Sequence, residues 1–376
     1  MPLLARLQSP ADGILPCPAG ETLSYPEQPG MAPTVSPDRL ARADAVLQSG
    51  ITDALFTHAV YALTRGGVPI ACKAFGAATT QTQFDLASLT KPVATAACLM
   101  QLVEAGRLHL RHSVHSFFDE EFGPLPHLSG VEVRHLLTHT SGLPPVPRWP
   151  TEGSHPTRRD MLQAVLTTPA LRPAGAGYTY SDTGFILLGE IIARVTSQPL
   201  EGVFQAQVAA PLGRTTLGFL PKNGPGEATI APTGPEAPGT VHDPRARDLG
   251  GVAGHAGLFG TAQDVLAFAE AIRAGGSPLL SLASTRRMAV SQIPAAVGAQ
   301  SYGWFCAGND YLPQGDLFSD QSFGHSGFTG TVLLIDLASD LSLVLLTNRV
   351  VNQDEDGSRF LRLRRCWLNV VASALL

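Results

Sequence analysis

The sequence lacks the marks of several large protein classes. No Lys/Arg cluster interrupts the scatter of its 26 basic and 31 acidic side chains, and the net charge is −5, so we expect no nucleic-acid partner. The five cysteines are odd in number and never spaced as CxxC, which argues against a disulfide framework or a zinc knuckle. No apolar run is long enough to span a bilayer, and the segment MPLLARLQSPADG has no signal-peptide core. We therefore expect a cytoplasmic protein without a membrane span.

Lysine is also scarce in this chain. It occurs only at positions 73, 91 and 222, and all the other basic side chains are arginine. Burial or a nearby cation can lower the pKa of a lysine amine until it accepts protons near neutral pH, whereas arginine stays charged. Arginine supplies positive charge where charge alone is needed, so the scarcity of lysine strengthens the case for proton transfer by Lys91.

The 376 residues, 44% of them hydrophobic, can bury a substantial core. Turn residues and periodicity predict strands towards both ends of the chain and helices between them. The predicted elements are an irregular arm over 1–35, a helix from Ser36 to Gly50, a hairpin over 58–75, mostly helical segments over 88–300, strands over 331–346 and an amphipathic helix over 363–374. We predict one catalytic domain over 36–376, with a sheet lobe (about 36–87 and 296–376) and a helical lobe (about 88–295).

Ser88 and Lys91 form the strongest candidate for a reactive centre. They stand in FDLASLTKPVATAACLM at the predicted start of an apolar helix, three residues apart and hence on one helical face. The N-terminus of a helix presents N–H groups to developing negative charge. A serine hydroxyl needs a proton acceptor to act as a nucleophile, and a lysine amine of lowered pKa can be one. A bare SxxK pattern, however, is far more often an N-cap serine beside a solvated lysine.

Two further motifs follow in order along the chain. Tyr180-Ser181-Asp182 is the one place among six tyrosines where Tyr-x-Asn/Asp occurs, and His325-Ser326-Gly327 precedes an apolar strand. Together with Ser88 and Lys91, they resemble the SxxK, YxN and KTG or HTG motifs of the serine β-lactamase and penicillin-binding protein superfamily. The similarity is greatest to class C β-lactamases, DD-peptidases and family VIII esterases, and it covers roughly residues 38–376.

This resemblance implies both a fold and a chemistry. The fold would be the β-lactamase/DD-peptidase-like α/β (α+β) fold, with an antiparallel sheet from the N- and C-terminal segments, flanking helices and a mostly helical middle region. The activity would be hydrolysis of an ester, amide or β-lactam carbonyl of a small molecule through an acyl-enzyme on Ser88, with no cofactor and no metal. Lys91 and Tyr180 would exchange protons as base and acid. The expected catalytic residues are Ser88, Lys91, Tyr180, Asp182 and His325.

The third motif has two candidates, which elementary chemistry separates. The residue after its glycine must donate an N–H to the oxyanion. In the segment 222–225 the glycine is followed by proline, which has no N–H, whereas in 325–328 it is followed by phenylalanine. The second segment is therefore the better candidate, and the backbone N–H groups of Ser88 and Phe328 would form the oxyanion hole. The predicted oxyanion and substrate-binding residues are Ser88, Ser326, Gly327 and Phe328.

Two positions depart from the family pattern. Asp182 stands where the family usually has Asn, so an amide donor to the substrate is lost and a carboxylate is placed to hold Lys91 as a cation. His325 replaces the usual lysine, so the site lacks a permanent cation for a substrate carboxylate near pH 7. These changes favour an esterase or peptidase over an efficient β-lactamase.

Three other histidines deserve separate expectations. His139, in LLTHTSGLP, is expected to be structural. His242 and His255, in the segment from His242-Asp243 to GGVAGHAGLFGTAQDV, could line the pocket, although loop packing explains them at least as well.

Other readings of the chain are possible. A zinc hydrolase would need HExxH or an HxHxDH cluster, and an α/β-hydrolase would need GxSxG; neither pattern occurs. A catalytically silent binding protein on the same fold stays open, as do a DD-peptidase, a D-amino-acid peptidase and a true β-lactamase. Oligomeric state cannot be predicted from the sequence.

Overall fold

The computed structural model describes residues 35–150, 156–221, 229–352 and 357–375. The arm predicted over 1–35 and the rival motif at 222–225 thus lie outside the described residues, apart from Val35. The strands are β1 His58–Arg65, β2 Val68–Gly76, β3 Phe84–Asp85, β4 Gly218–Phe219, β5 Leu258–Gly260, β6 Phe305–Cys306, β7 Ser322–Gly327, β8 Thr331–Asp336 and β9 Leu341–Thr347. The α-helices are α1 Pro37–Thr52, α2 Ala97–Glu104, α3 Asp119–Phe122, α4 Val133–Leu137, α5 Arg158–Leu166, α6 Asp182–Thr196, α7 Leu200–Phe204, α8 Pro244–Asp248, α9 Ala262–Arg273, α10 Leu282–Met288 and α11 Ser358–Ala374.

The main sheet joins distant parts of the chain. Six antiparallel strands lie in the order β2-β1-β9-β8-β7-β6, so the hairpin near the start pairs with strands near the end. The predicted antiparallel sheet of N- and C-terminal segments, with helices between them, is confirmed. A second sheet has three short strands in the order β3-β5-β4. It pairs β3, the strand just before Ser88, with β5, the strand just before α9.

Local chemistry explains why the flanking elements form where they do. Helix α1 starts after Ser36, whose hydroxyl accepts from the N–H of Arg39. The hairpin β1–β2 turns at Gly66 and Gly67, which have φ of 58° and 77°, values that glycine adopts without strain. Thr261 and Asp264 form the predicted capping box at the start of α9.

Both faces of the main sheet are covered. Helices α1 and α11 pack on one face, where they bury Tyr61 and Trp367 in one core, and α9 packs on the other, where Val60 and Val344 belong to a second core. Because successive strand residues point to opposite faces, β1 and β9 read as nearly continuous apolar runs. Among the described helices, none combines the length and apolarity that a bilayer crossing requires.

The helix that carries Ser88 differs from the sequence expectation. Ser88 lies in a 3₁₀ turn, Ala87–Leu89, and π-helical turns over Lys91–Ala96 precede α2. Pro92 has no N–H with which to bond the carbonyl of Ser88 in an α-helical pattern. The chain therefore reaches regular α-helix only at Ala97.

Candidate active site

A strained turn presents Ser88 to the cavity. Ala87 has φ of 47°, a conformation that residues with a Cβ adopt only when their surroundings impose it. The buried carboxylate of Asp85 imposes it here, because its Oδ1 accepts the N–H of Ala87 at 2.8 Å. Burial raises the pKa of Asp85 to about 6. Its Oδ2 accepts the N–H of His242 at 2.7 Å, so one carboxylate joins the turn to a second loop.

Lys91 is fully buried, and its ammonium is surrounded by acceptors. Its Nζ lies 2.8 Å from Ser88 Oγ, 2.8 Å from Asp182 Oδ1 and 3.0 Å from the carbonyl oxygen of His255. Burial lowers the pKa of Lys91, but the charge of Asp182 and the phenol of Tyr180 outweigh it and raise the pKa above its ordinary value. The resting site therefore contains a cationic lysine that donates to the serine oxygen.

Asp182 is the first residue of α6, where its backbone N–H donates to the carbonyl of Pro145 at 2.8 Å. Burial raises the pKa of its carboxyl, but Lys91 outweighs that effect and keeps the pKa below its usual range. The sequence led us to expect that this carboxylate would hold Lys91 as a cation, and the structure brings the two groups into contact.

Tyr180 covers the ammonium of Lys91, whose Nζ lies 4.9 Å from the ring centroid. Burial raises the pKa of the Tyr180 phenol, against the opposing influence of Lys91. The ring stacks on Tyr311 at 5.4 Å between centroids and contacts His139 at 4.6 Å. His139 accepts the N–H of Ser181 at its Nδ1, 3.0 Å away, so it supports the tyrosine motif from behind.

His325 lies inside β7 and is fully buried. Its Nδ1 hydrogen-bonds the carbonyl of Ser326 at 2.8 Å, and its ring stacks on Phe305 at 4.1 Å. Burial, with Lys91 nearby, holds the pKa of His325 well below its ordinary value. The imidazole is consequently neutral and supplies no cation to a substrate.

Gly327 allows β7 to approach the serine turn. A Cβ at this position would lie 2.6 Å from the carbonyl oxygen of Leu86 and 3.2 Å from the Cβ of Ala87. The hydroxyls of Thr329 and Thr331 donate to the carbonyls of Asp85 and Leu86, at 2.8 and 3.1 Å. Through these contacts, the residues before and after Phe328 pack against the segment 85–87, which leads into Ser88.

The loop from Gly254 to Leu258 contacts both Lys91 and helix α6. Thr95 Oγ1 donates to the carbonyl of Gly254 at 2.7 Å, next to the carbonyl that accepts from Lys91. A Cβ on Gly254 would lie 2.0 Å from the carbonyl oxygen of Phe185 and 2.8 Å from the N of Gly189 in α6. Two glycines thus permit backbone contact between this loop and α6.

His255 and Asp243 form a second buried pair beside the ammonium. His255 Nε2 lies 2.8 Å from Asp243 Oδ1, and this pairing keeps the pKa of Asp243 far below its ordinary range against the effect of burial. His255 thus takes part in loop packing, and both His242 and His255 also line the cavity that contains Ser88, as the sequence analysis allowed. His242 has a different position, since its ring stacks on Phe328 at 5.5 Å.

One cavity of about 660 Å³ brings the predicted residues together. Its lining includes Ser88, Tyr180, Asp182, Ser326, Gly327 and Phe328. Lys91 and His325 lie behind this wall. Sequence reasoning missed several lining residues, because no motif marks them: Tyr311, Phe305, Arg349 and Arg364. A larger cavity of about 910 Å³ elsewhere contains none of the motif residues.

Comparison with known proteins agrees with this architecture. A sequence model described as Beta-lactamase matches residues 44–365, and the chain therefore belongs to the beta-lactamase family. A protein of Escherichia coli K12 named "Putative D-alanyl-D-alanine carboxypeptidase" is 31% identical over 307 residues, which make up 72% of this chain and 70% of that protein. The family makes the chain a hydrolase of the serine β-lactamase and penicillin-binding protein type.

Solved structures confirm the fold. EstCE1, a hydrolase with promiscuous acyltransferase activity, superposes with a TM-score of 0.70 at 24% identity, over 89% of this chain and 98% of that one. A penicillin-binding protein homologue from Caulobacter crescentus has the same TM-score at 19% identity, over 91% and 99% of the two chains. At these identities the likeness concerns the fold alone.

Proposed function

We propose that the protein hydrolyses a small-molecule ester or peptide through an acyl-enzyme on Ser88. The observation that carries this proposal is the position of Lys91, whose Nζ lies 2.8 Å from Ser88 Oγ in a fully buried setting. A merely solvated lysine beside an N-cap serine would be exposed to water, and this one is not. Lys91 contacts both the nucleophile Ser88 and the carboxylate of Asp182 within hydrogen-bonding distance. Covalent catalysis needs such a chain of nucleophile, proton acceptor and orienting group.

The proton of Ser88 needs an acceptor during attack. At rest Lys91 is an ammonium paired with Asp182, 2.8 Å away, so attack begins from the molecules in which Lys91 has lost a proton to solvent. The neutral amine can then take the proton of Ser88 as Oγ bonds to the substrate carbonyl carbon. Tyr180, packed over the amine, delivers a proton to the departing oxygen or nitrogen and regains one through Lys91.

The oxyanion that forms on the carbonyl oxygen would bind to the N–H groups of Ser88 and Phe328. The strained turn at Ala87 and the close approach of Gly327 support this pairing. Each such donor contributes about 3 kcal/mol to transition-state stabilisation. Water then repeats the sequence on the acyl-enzyme, with the proton transfers reversed.

The polar groups of the site favour esters and peptides over β-lactams. Asp182 accepts hydrogen bonds where the family amide would also donate, and its lone pairs face Lys91. His325 is neutral and buried, so it cannot supply the positive charge that the lysine of a β-lactamase supplies. A DD-peptidase is the second candidate, supported by the sequence similarity to the E. coli relative named "Putative D-alanyl-D-alanine carboxypeptidase".

Adduct mapping tests the proposal directly. We expect a fluorophosphonate to label Ser88 and the Ser88→Ala variant to lose hydrolysis of short-chain nitrophenyl esters by about 10³-fold or more. Mass spectrometry after incubation with penicillin separates the branches: a stable adduct indicates a peptidase, a transient one a β-lactamase, and no adduct an esterase. Ester turnover retained in Ser88→Ala would refute the central assignment.

A further inference from the structure

One buried carboxylate takes no part in the proposed proton transfers. Asp85 ends strand β3, just before the turn of Ser88, and is 1% exposed. Burial raises its pKa to about 6, and the nearby carboxylate of Asp243 acts in the same direction. No cationic side chain of the described ranges forms an ion pair with it. Because a carboxylate buried without a cation costs free energy, its place beside the nucleophile indicates a role there.

Both oxygens of this carboxylate accept backbone N–H groups, and the two donors belong to different segments. Oδ1 accepts the N–H of Ala87 at 2.8 Å, and Oδ2 accepts the N–H of His242 at 2.7 Å. An ionised carboxylate can accept both bonds. A carboxylic acid or an amide of the same shape carries hydrogen on one of the two atoms, which leaves one N–H with a poorer acceptor. The arrangement therefore needs the ionised form of Asp85.

The main chain of Asp85 makes a third contact, next to the other half of the predicted oxyanion hole. Thr329 Oγ1 donates to the carbonyl oxygen of Asp85 at 2.8 Å. Thr329 directly follows Phe328, whose N–H is the second predicted donor to the oxyanion. The side chain of Asp85 thus contacts the residue before Ser88, and its main chain contacts the residue after Phe328. One residue joins the two segments that carry the donors.

The loop that contains His242 extends this connection. The ring of His242 stacks on the ring of Phe328 at 5.5 Å between centroids, while its N–H donates to Asp85. The next residue, Asp243, belongs to the buried pair beside the ammonium of Lys91. The hydrogen bond to Oδ2 therefore fixes a loop that contacts both Phe328 and the surroundings of the lysine.

The conformation of Ala87 shows what depends on the hydrogen bond to Oδ1. Ala87 has φ of 47°, which a residue with a Cβ adopts only under restraint. The peptide group between Ala87 and Ser88 is planar and carries the N–H that would bind the oxyanion, so the dihedral angles of Ala87 set the direction of that N–H. Without the restraint from Asp85 the turn can relax, and the N–H of Ser88 then changes its direction.

We propose that Asp85 is a positioning residue of the oxyanion hole: it holds the segments of Ser88 and Phe328 at the spacing at which both N–H groups reach one oxyanion. Asp85 is not among the residues that line the cavity, so it acts through its neighbours. The inference rests on the proposed function, because the oxyanion forms when Ser88 attacks a carbonyl. The substrate at rest has no oxyanion, so Asp85 should influence kcat and leave substrate binding nearly unchanged.

The isosteric variant Asp85→Asn tests the proposal. We expect kcat for a nitrophenyl ester to fall about 10²-fold, the effect of losing one oxyanion donor, while KM stays within about twofold of the wild-type value. Phenylboronic acid, which forms a tetrahedral adduct with a reactive serine, should bind the variant about 10²-fold more weakly, because the adduct uses the same N–H groups. An unchanged kcat, or a loss that appears in KM alone, would overturn the proposal.

Asp336→Asn is the matched control for an effect of stability alone. Asp336 is likewise fully buried, and it accepts the backbone N–H groups of Ser319 and Ala338 at 2.9 and 3.1 Å. It stands at the opposite end of β8 from Thr331, which contacts the serine turn. Urea unfolding measures the stability that each variant loses, and we expect only Asp85→Asn to lose kcat. An equal loss of kcat in both variants would show that Asp85 has only a structural role.

The pH profile of the wild-type protein supplies a test that needs no folded variant. Because Lys91 must lose a proton before attack, kcat/KM should rise about tenfold per pH unit at acid pH. Below a pH of about 6, Asp85 also takes up a proton and weakens its hold on one N–H, so the slope should become steeper there. The steeper part should be absent from Asp85→Asn. A wild-type profile without it, or its persistence in the variant, would contradict the proposal.

His242 lies against Asp85 and needs a control of its own in this profile. Burial lowers the pKa of its imidazole, whereas Asp243, the other charged neighbour, stays ionised because its pKa is far below the ordinary range. His242→Gln removes the imidazole and keeps the backbone N–H that donates to Asp85. We expect the steeper part of the profile to persist in this variant. Its loss there would assign the effect to the imidazole and not to Asp85.

Amide hydrogen exchange separates this inference from the proposed hydrolysis. In Ser88→Ala, which keeps the backbone N–H but cannot form an acyl-enzyme, we expect the additional change Asp85→Asn to speed exchange in segments 86–90, 240–244 and 328–331 about tenfold or more, with α1 unaffected. Faster exchange confined to these segments would support the positioning role even if the wild-type protein hydrolyses no ester. Unchanged exchange would exclude that role even if hydrolysis at Ser88 is established.

Discussion

The two walls of the active-site cavity differ in how their polar groups are held. The wall of Ser88, Lys91 and Asp182 is buried, and the ammonium of Lys91 has three acceptors around it. The wall of Phe328 and Tyr311 is open, since these side chains are 61% and 51% exposed. We infer that the buried wall determines the chemistry and that the open wall selects the substrate. Substitutions on the two sides should therefore act on different kinetic parameters.

The largest effect is expected on the buried wall, from Lys91→Arg. Arginine keeps the positive charge but cannot give up a proton in the working pH range. We expect kcat to fall by about 10³-fold or more, in the range found when one member of a catalytic unit is removed. Steady-state hydrolysis of a nitrophenyl ester measures this loss. Lys73→Arg, a surface lysine paired with Asp44, is the control and should keep full activity.

Asp182→Asn should change the pH dependence more than the maximal rate. The carboxylate raises the pKa of Lys91, so its removal lowers that pKa and neutral amine appears at lower pH. We expect the rising limb of kcat/KM to move to lower pH by about one unit or more. The amide also restores a donor, which should improve cephalosporin hydrolysis. An unchanged pH profile would show that Lys91 and Asp182 are not coupled as their contact implies.

The same pair has a consequence for folding stability. The folded-state pKa of Lys91 is above its ordinary value, so the stabilisation by the charged pair is present below the unfolded-state pKa of about 10.4. It is lost as the pH rises through the folded-state value. In Asp182→Asn this alkaline loss should be reduced, which urea unfolding at pH 8 and at higher pH can measure.

The smallest effect is expected on the open wall, from Tyr311→Ala. Tyr311 stacks on Tyr180 and on Phe305, with centroid distances of 5.4 and 5.7 Å, while about half of it faces solvent. Loss of an aromatic contact should raise KM for aromatic esters about three- to tenfold and leave kcat nearly unchanged. Tyr311→Phe retains the ring and should behave as wild type. A fall in kcat as large as that in KM would contradict the division between the walls.

Much of the architecture could be predicted from local patterns. Ser36, the glycines at 66 and 67, and the capping box at Thr261 act through neighbours in sequence, so the start of α1, the β1–β2 turn and the start of α9 could be predicted. Helix α1 continues to Thr52, two residues beyond its predicted end at Gly50. The motif residues were chosen because their spacing has chemical meaning, and the structure brings Ser88, Lys91, Tyr180 and Asp182 into one site. Their catalytic roles remain predictions.

Other features had no local signal. Asp85 accepts the N–H of His242, Gly254 meets Gly189 backbone to backbone, and Arg364 enters the cavity from the last helix. Each depends on a partner far away in sequence. No periodicity or spacing reports such a contact.

The sequence by itself therefore determined the order of elements and the residue types available for proton transfer, because propensity, capping and periodicity act over a few residues. Only the tertiary structure decided the contacts that keep Lys91 charged, the burial that keeps His325 neutral and the entry of Arg349 and Arg364 into the cavity. Those properties are set by burial and by charges at distances of a few ångströms, between residues that the chain keeps well apart.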